Sequence, residues 1–244
     1  MNKIKKRIVN IGERAVTWLW PEICPFCGRV SSQGICTRCR GKLESIRIRE
    51  PRCMKCGKPL GHEEQEYCYD CMRMKHWYTE GYGLWLHKDP VSTSIYQFKY
   101  HNQRRFGICF AEELVCYYGH TIMGWKPDLI IPIPLHKKRR RKRGYNQAEI
   151  LSRRIGEMLR IPVDHKSLVR RVHTDPQKKL GHQERKKNLK HAFSVRRSFS
   201  PVDTVLLIDD IYTTGSTIDA AARVLKEKGV EKVYFLTISI GQGY

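Results

Sequence analysis

The chain has 244 residues, 41% of them hydrophobic, which is enough for one α/β core of ordinary size together with a smaller module. Its 46 Lys and Arg outnumber 24 Asp and Glu, and the resulting net charge of +22 favours polyanionic partners. We expect no transmembrane segment, because no apolar run approaches the roughly 20 residues that span a bilayer.

The N terminus carries apolar residues at helical spacing. The pattern predicts an amphipathic helix over residues 1–20, built on Ile4, Ile8, Ile11, Ala15 and Leu19. Polar residues interrupt this stretch, which is not typical of the apolar segment of a signal peptide. We therefore expect a cytoplasmic protein, and peripheral attachment of this helix to the inner membrane face is the alternative.

Eight of the ten cysteines form four Cys-x-x-Cys pairs within 48 residues. A two-residue gap lets both thiolates face one tetrahedral ion, and four thiolates complete a structural zinc site. The segments CPFCG and CMKCG recur 29 residues apart, each with a glycine after its second cysteine, so residues 21–75 are predicted to form a double zinc ribbon. The predicted ligands are Cys24, Cys27, Cys36, Cys39, Cys53, Cys56, Cys68 and Cys71.

The pairing of these cysteines has more than one solution. Sequential grouping of the first four and the last four is preferred, with crossed pairing or a single occupied site as alternatives, so we expect one or two Zn²⁺ per chain. The metal is expected to be structural, because the segment holds too few aliphatic residues to fold unaided. The remaining Cys109 and Cys116 lie seven residues apart on an apolar helical face and are expected in the core.

Residues 80–244 alternate between apolar runs and helical patterns, which predicts a parallel sheet with helices on both faces. Asn146 followed by Glu149 indicates a capping box at the start of one helix. The predicted strands are 81–87, 128–134, 203–208 and 232–239. The predicted helices are 90–100, 104–120, 146–160 and 216–228.

The stretch VLLIDDIYTTGST, residues 205–217, places two acids after an apolar strand and a hydroxyl-rich loop before a helix. We expect Asp209 and Asp210 at the end of the strand, because two carboxylates are costly inside a buried one. A glycine-containing loop at a helix N terminus favours a phosphate, and paired acids suit a cation or the hydroxyls of a sugar. The pattern predicts a ribose-phosphate site that also includes Thr213, Thr214, Gly215, Ser216 and Thr217.

This motif resembles the phosphoribosyl-pyrophosphate (PRPP) signature of type I phosphoribosyltransferases. The resemblance implies that the paired acids are the catalytic residues that engage the ribose, that the loop binds the 5′-phosphate, and that Mg²⁺ accompanies PRPP. An acidic strand end capping an ordinary helix is the plain alternative.

Seven consecutive basic residues follow the second predicted strand. Taken alone the run is a solvated loop, but residues 135–200 hold 21 Lys and Arg against 5 Asp and Glu, or +16 of the net +22. Such a concentration of positive charge attracts polyanions, whether PRPP or nucleic acid. The candidate DNA-binding residues are Lys137, Lys138, Arg139, Arg140, Arg141, Lys142, Arg143 and Tyr145, with Tyr145 and His136 as candidates for stacking on bases.

The segments LWPEICPFCG, FKY, PIPLH and RGYNQ, in this order with the basic run, resemble the ComF family of bacterial competence proteins. That family joins a cysteine-rich N terminus to a phosphoribosyltransferase domain. The resemblance implies a pyrophosphate site at Ile133, Pro134, Leu135, His136, Arg143, Asn146 and Gln147. It also implies that residues 170–193 form a flexible loop over the site, with Thr174, Gln177 and Arg185 matching the family.

Two functions follow from these patterns. The first is a competence protein that binds PRPP and single-stranded DNA during DNA uptake, with partners in the competence machinery such as the ComF helicase and recombination mediators. The second is an active phosphoribosyltransferase that moves ribose 5-phosphate from PRPP to an unidentified base or other acceptor.

Overall fold

A computed structural model describes residues 22–171 and 192–241. The chain divides into two compact units, one ending at Ser45 and the other beginning at Ile46. The predicted helix over residues 1–20 and most of the predicted flexible loop lie outside the described residues. Within the described ranges, no helix combines the length and apolarity that crossing a bilayer requires.

The first unit contains one zinc-ribbon repeat. The N–H of Gly28 donates to the carbonyl of Cys24, and Gly28 has a φ of +71°, the left-handed conformation that lets the chain turn around the first cysteine pair. Helix α1 (Thr37–Glu44) begins directly after Cys36. The second cysteine pair is therefore presented by the start of a helix.

The second repeat has the same construction but belongs to the larger unit. Gly57 has a φ of +70° and donates to the carbonyl of Cys53, and helix α2 (Tyr69–Arg73) begins directly after Cys68. The 29-residue repeat predicted from the sequence is thus present in the backbone, since the bridge Ile23 to Val30 recurs as Arg52 to Pro59.

A four-stranded parallel sheet forms the centre of the larger unit, in the order β1-β6-β5-β2. Its strands alternate with helices along the chain, as predicted. The remaining elements are β1 (Glu80–Leu86), α3 (Val91–Tyr100), α4 (Phe106–Trp125), β2 (Leu129–Pro132), α5 (Lys137–Arg143), α6 (Gln147–Leu159), β3 (Leu168–Arg170), β4 (Phe193–Val195), β5 (Thr204–Tyr212), α7 (Ser216–Lys226) and β6 (Lys232–Ile240).

The two faces of the sheet are covered differently. Helices α4 and α6 pack on each other and on one face, whereas α7 covers the other face together with the antiparallel pair β3 and β4. On the α7 side, Cys53, Cys56 and Cys68 belong to the same buried cluster as sheet residues such as Val205 and Phe235. The second ribbon therefore shares the core of the sheet.

The second repeat also protects the edge strand β1. The carbonyl of Lys55 accepts a hydrogen bond from Gly81, and residues 46–48 add two further backbone bonds to Leu84 and Leu86. An uncovered parallel edge would expose unpaired backbone groups to other chains. The contact is close, because a Cβ on Gly57 would lie 2.8 Å from the carbonyl oxygen of Gly81.

Three local interpretations of the sequence need correction. Asn146 caps α6 by accepting from the N–H of Ala148, which is one half of a capping box, whereas the Glu149 carboxylate pairs with Arg140 and Arg153. The basic run, for which a solvated loop was the plain alternative, forms helix α5. Cys116 is exposed on α4 and does not lie in the core.

We predict that Gly57→Ala destabilises the larger unit by more than the roughly 1 kcal/mol expected for a left-handed glycine, because the added methyl also collides with the backbone of β1. Gly28→Ala is the matched control, since Gly28 has nearly the same φ but nothing within 4 Å of its Cβ position. Thermal unfolding followed by circular dichroism compares the two. Equal losses would contradict the close packing of the second repeat on β1.

Candidate functional site

The loops that carry the predicted site leave neighbouring strands at the same edge of the sheet. Strands β2 and β5 are parallel partners, with Pro132 opposite Ile208, and the N–H of Ile133 donates to the Ile208 carbonyl at 2.9 Å. The loop after β2 therefore begins beside the acids of β5. The carboxyl ends of parallel strands are where doubly wound folds place their ligands.

Asp209 and Asp210 lie within β5, not at its end as predicted. The strand continues to Tyr212 because β6 is equally long, and Ile211 and Tyr212 pair with Ser239 and Ile240. The two carboxylates are thus held in a rigid, largely buried strand.

An ion pair stabilises one of the two acids. The Nζ of Lys99 lies 2.7 Å from Oδ1 of Asp210, and their side chains are only 16% and 13% exposed. The sequence pattern FKY contains this lysine, yet nothing in its spacing indicated an acidic partner more than 100 positions away. Pairs of this kind are recognised only when the sheet order is known.

Asp209 is in a less favourable electrostatic position. Burial, followed by the neighbouring Asp210 carboxylate, raises the pKa of Asp209 to about 7, although Lys99 and Arg170 oppose the shift. One Asp209 oxygen accepts the N–H of Asp210 at 2.8 Å. A bound cation, or hydroxyls donating to these oxygens, would relieve this crowding of charge.

The loop after β5 has the geometry of an anion site. Gly215 is the N-cap of α7 with a φ of +75°, and the first N–H groups of this eleven-residue helix have no intrahelical carbonyl to bond. The hydroxyls of Thr214 and Ser216 lie 2.9 Å apart. A side chain at Gly215 would collide with the Tyr212 ring, since its Cβ would be 2.5 Å from the phenol oxygen.

The segment that follows the second ribbon is hydrogen-bonded to the residues on either side of this loop. The phenol oxygens of Tyr78 and Tyr212 are 2.9 Å apart, and burial raises the pKa of both groups, so two neutral phenols share the hydrogen bond. The N–H of Trp77 donates to Asp219 in the first turn of α7 at 2.7 Å. The residues that follow the last cysteine pair thus contact Tyr212 before the Gly215 loop and Asp219 after it.

Two residues predicted to face pyrophosphate are buried and hydrogen-bonded to other protein groups. Asn146 is buried, and its amide donates to the carbonyl of Ile133 at 3.0 Å. Gln147 is 1% exposed, donates to Phe98 and accepts from Arg143. They position the loop after β2 and the end of α5. Of the other residues predicted to face pyrophosphate, Ile133 bonds to Ile208 of β5, and Arg143 contacts Gln147 and Tyr100.

The basic run is an ordered helix, not a solvated loop. His136 caps α5 by accepting from the N–H of Lys138, and Gly144 ends the helix in a left-handed conformation. Arg140 pairs with Glu149, which is on the next helix. The exposed basic side chains are Lys137, Lys138, Arg140, Arg141 and Lys142.

Tyr145 does not fit the predicted role of stacking on bases. It is 7% exposed, its hydroxyl donates to the carbonyl of Phe98, and the Arg104 guanidinium lies 4.8 Å from its ring centroid. Tyr145 is therefore buried against Phe98, and its ring is not available to a base. Thr174, Gln177 and Arg185 lie outside the described residues, between β3 and β4.

Each set of four cysteines converges sequentially, as preferred from the sequence. Within each set all four Sγ atoms lie within 4.8 Å of one another, and Cys27–Cys36 and Cys56–Cys68 are 3.6 Å apart. Tetrahedral Zn²⁺ with bonds of about 2.3 Å requires sulfur separations of about 3.8 Å. Both sets fit zinc, and four thiolates leave no coordination position for catalysis.

We predict that Cys36→Ser and Cys68→Ser each remove one zinc per chain, whereas only Cys68→Ser loosens the loop around Gly215. Cys68 shares a buried cluster with Tyr212 and Ile218, and Cys36 lies in the other unit. Elemental analysis measures zinc, and hydrogen exchange of peptides covering residues 205–222 measures the loop. Unchanged protection in Cys68→Ser after loss of its zinc would contradict this coupling.

We predict that Asp209→Asn changes how stability depends on pH. An acid whose pKa is raised on folding holds its proton more tightly in the native state, so stability falls as pH rises towards the folded pKa of about 7. The stability gained by Asp209→Asn should therefore increase between pH 5.5 and 7 and level off above, reaching at most about 4 kcal/mol. Urea unfolding measures this difference.

Asp203→Asn is the control for this measurement, because Asp203 is exposed next to the start of the same strand. If the stability of Asp209→Asn depends on pH in the same way as that of wild type and of Asp203→Asn, the pKa of Asp209 is not raised by folding.

Comparisons with known proteins agree with this architecture. A double zinc ribbon family matches residues 15–72, and a phosphoribosyl transferase domain family matches residues 117–239. Competence protein F of Haemophilus influenzae is 33% identical over 210 residues, which cover 84% of this chain and 89% of that protein.

Two further relatives are similar over most of their length. DNA utilization protein YhgH of Salmonella typhi is 28% identical over 87% of this chain and 94% of its own. Competence protein ComFC of Bacillus subtilis is 29% identical over 80% of this chain and 79% of its own. With a double zinc ribbon, a phosphoribosyltransferase domain and these relatives, the chain belongs to the ComF family of competence proteins.

Proposed function

We propose that this protein binds PRPP with Mg²⁺ at the carboxyl ends of β2 and β5 and holds single-stranded DNA on its basic surface during DNA uptake. The observation that carries the proposal is the convergence of the acids of β5, the Gly215 loop and the loop after β2 at one edge of the sheet. The basic helix α5 follows directly from that edge.

The PRPP part rests on matched chemistry. Asp209 and Asp210 offer oxygens to ribose hydroxyls and Mg²⁺, and the N terminus of α7 with the hydroxyls of Thr213, Thr214, Ser216 and Thr217 suits the 5′-phosphate. The pyrophosphate would meet the backbone of residues 133–136 and the Arg143 guanidinium. Thr174, Gln177 and Arg185 of the segment between β3 and β4 are proposed to close over it.

The DNA part rests on charge and on the names of the relatives. Two of them are named competence proteins and another a DNA utilization protein. Helix α5 presents five exposed cations on the surface, more than pyrophosphate needs, and phosphate contacts dominate the affinity of non-specific nucleic-acid binding. We place the protein in the cytoplasm, where it would meet incoming DNA and the competence machinery, including the ComF helicase and recombination mediators.

Transferase activity is the second candidate, favoured by the Lys99–Asp210 ion pair. The ion pair holds the carboxylates in place, and preorganised carboxylates can stabilise the positive charge that develops on the ribose, without a protein nucleophile. The acceptor would be a nucleobase or another nucleophile. Release of pyrophosphate from PRPP on addition of an acceptor identifies this activity.

We predict that Lys138→Ala/Arg141→Ala/Lys142→Ala weakens binding of a labelled single strand and lowers its salt dependence. Each lost phosphate contact reduces the slope of log affinity against log salt by about 0.7, so three lost contacts reduce it by about 2. Fluorescence anisotropy between 50 and about 200 mM salt, with and without PRPP, measures both quantities.

Arg197→Ala/Lys228→Ala/Lys232→Ala removes the same charge from exposed positions elsewhere in the larger unit. This control should lose little affinity and keep the slope. An equal effect of the two triple variants would show that the net charge of the protein, and not α5, attracts the strand.

A further inference from the structure

An exposed group of aromatic rings lies at the C-terminal end of α3, beside α5, and the contacts of the PRPP site do not use it. Tyr96 is 56% exposed and Tyr100 is 50% exposed, although rings of this size usually bury most of their surface. Their centroids are 4.9 Å apart, and that of Tyr96 is 5.6 Å from His101. We call these three residues the aromatic platform.

Arg143 connects the platform to the basic helix. Its guanidinium carbon lies 4.8 Å from the centroid of Tyr100, and one of its nitrogens donates to the Tyr100 hydroxyl at 3.0 Å. The other nitrogen donates to the buried Gln147, so the side chain is fixed from both sides. Because Arg143 is the last residue of α5, the platform continues the cationic surface of that helix.

Helix α3 also connects the platform to the acids of β5. Lys99, which pairs with Asp210, immediately precedes Tyr100 on α3. The rings, the basic helix and the acids are therefore linked through α3 and Arg143 in this region. Exposed rings in such a region are costly to keep in water unless a ligand covers them.

We propose that Tyr96, Tyr100 and His101 stack on the bases of single-stranded DNA whose phosphates lie along α5. The proposal rests on the DNA-binding function above and specifies how the strand is held. Aromatic side chains next to a cationic groove are the combination that binds single strands without sequence preference, since every base has a π face. A duplex is excluded as the preferred ligand because its base faces are already stacked on each other.

The test is binding of a fluorescein-labelled oligothymidylate to the full-length protein, followed by anisotropy. Tyr96→Ala/Tyr100→Ala should weaken binding about 5- to 150-fold, the range expected for losing stacking on one base. The salt slope should stay unchanged, because no phosphate contact is removed. Tyr96→Phe/Tyr100→Phe keeps both rings and should bind nearly as wild type does.

Tyr69→Ala is the matched control, since Tyr69 is 60% exposed and also has an arginine guanidinium, that of Arg73, 4.3 Å from its ring centroid. It lies on α2 of the second ribbon and should leave DNA affinity unchanged. Loss of affinity in all three variants would indicate a general effect of tyrosine replacement and overturn the platform.

An abasic strand of the same length separates stacking from charge. Wild type should bind the abasic strand more weakly than the normal one, and this difference should be smaller for Tyr96→Ala/Tyr100→Ala. Wild type that binds strongly but does not distinguish them, or that binds a duplex equally well, overturns the platform and leaves DNA binding intact. Wild type that binds no strand at about 50 mM salt overturns the proposed DNA function itself.

Discussion

The ion pair between Lys99 and Asp210 is the interaction on which the candidate site depends. Two adjacent carboxylates inside a parallel strand repel each other and lose solvation, and only a close cation makes such an arrangement tolerable. Asp209 bears the remaining cost, as its raised pKa shows. The protein therefore keeps charge crowded within strand β5, and a magnesium-bound sugar phosphate is a ligand that would relieve it.

The second zinc ribbon takes part in maintaining this arrangement. Its cysteines lie in the core that covers one face of the sheet, and the Tyr78–Tyr212 hydrogen bond joins the segment after it to the end of β5, where the Gly215 loop begins. The first ribbon has the same local fold but forms a separate compact unit. The two repeats thus differ in structural role, because only the second contributes to the core of the sheet. The boundary between the two units falls between the repeats.

Local sequence patterns predicted most of the fold because they depend on neighbours in the chain. The cysteine spacing, the glycine turns and the alternation of strands and helices were all recognisable, as was the strand–loop–helix order around Asp209. The Lys99–Asp210 pair, the burial of Tyr145 and the merging of the second ribbon with the core depend on contacts between distant segments. Strand β5 extends past its acids because β6 offers pairing partners for Ile211 and Tyr212. No pattern within residues 205–217 reveals this pairing.

We propose that the edge of the sheet formed by β2 and β5 binds PRPP. Isothermal titration calorimetry of PRPP into the zinc-loaded protein, with and without Mg²⁺, tests it most directly when wild type is compared with Asp209→Ala/Asp210→Ala. We expect magnesium-dependent binding by wild type and none by the double variant, with both proteins folded by circular dichroism. Equal PRPP affinity of the folded double variant and wild type would show that Asp209 and Asp210 do not bind PRPP.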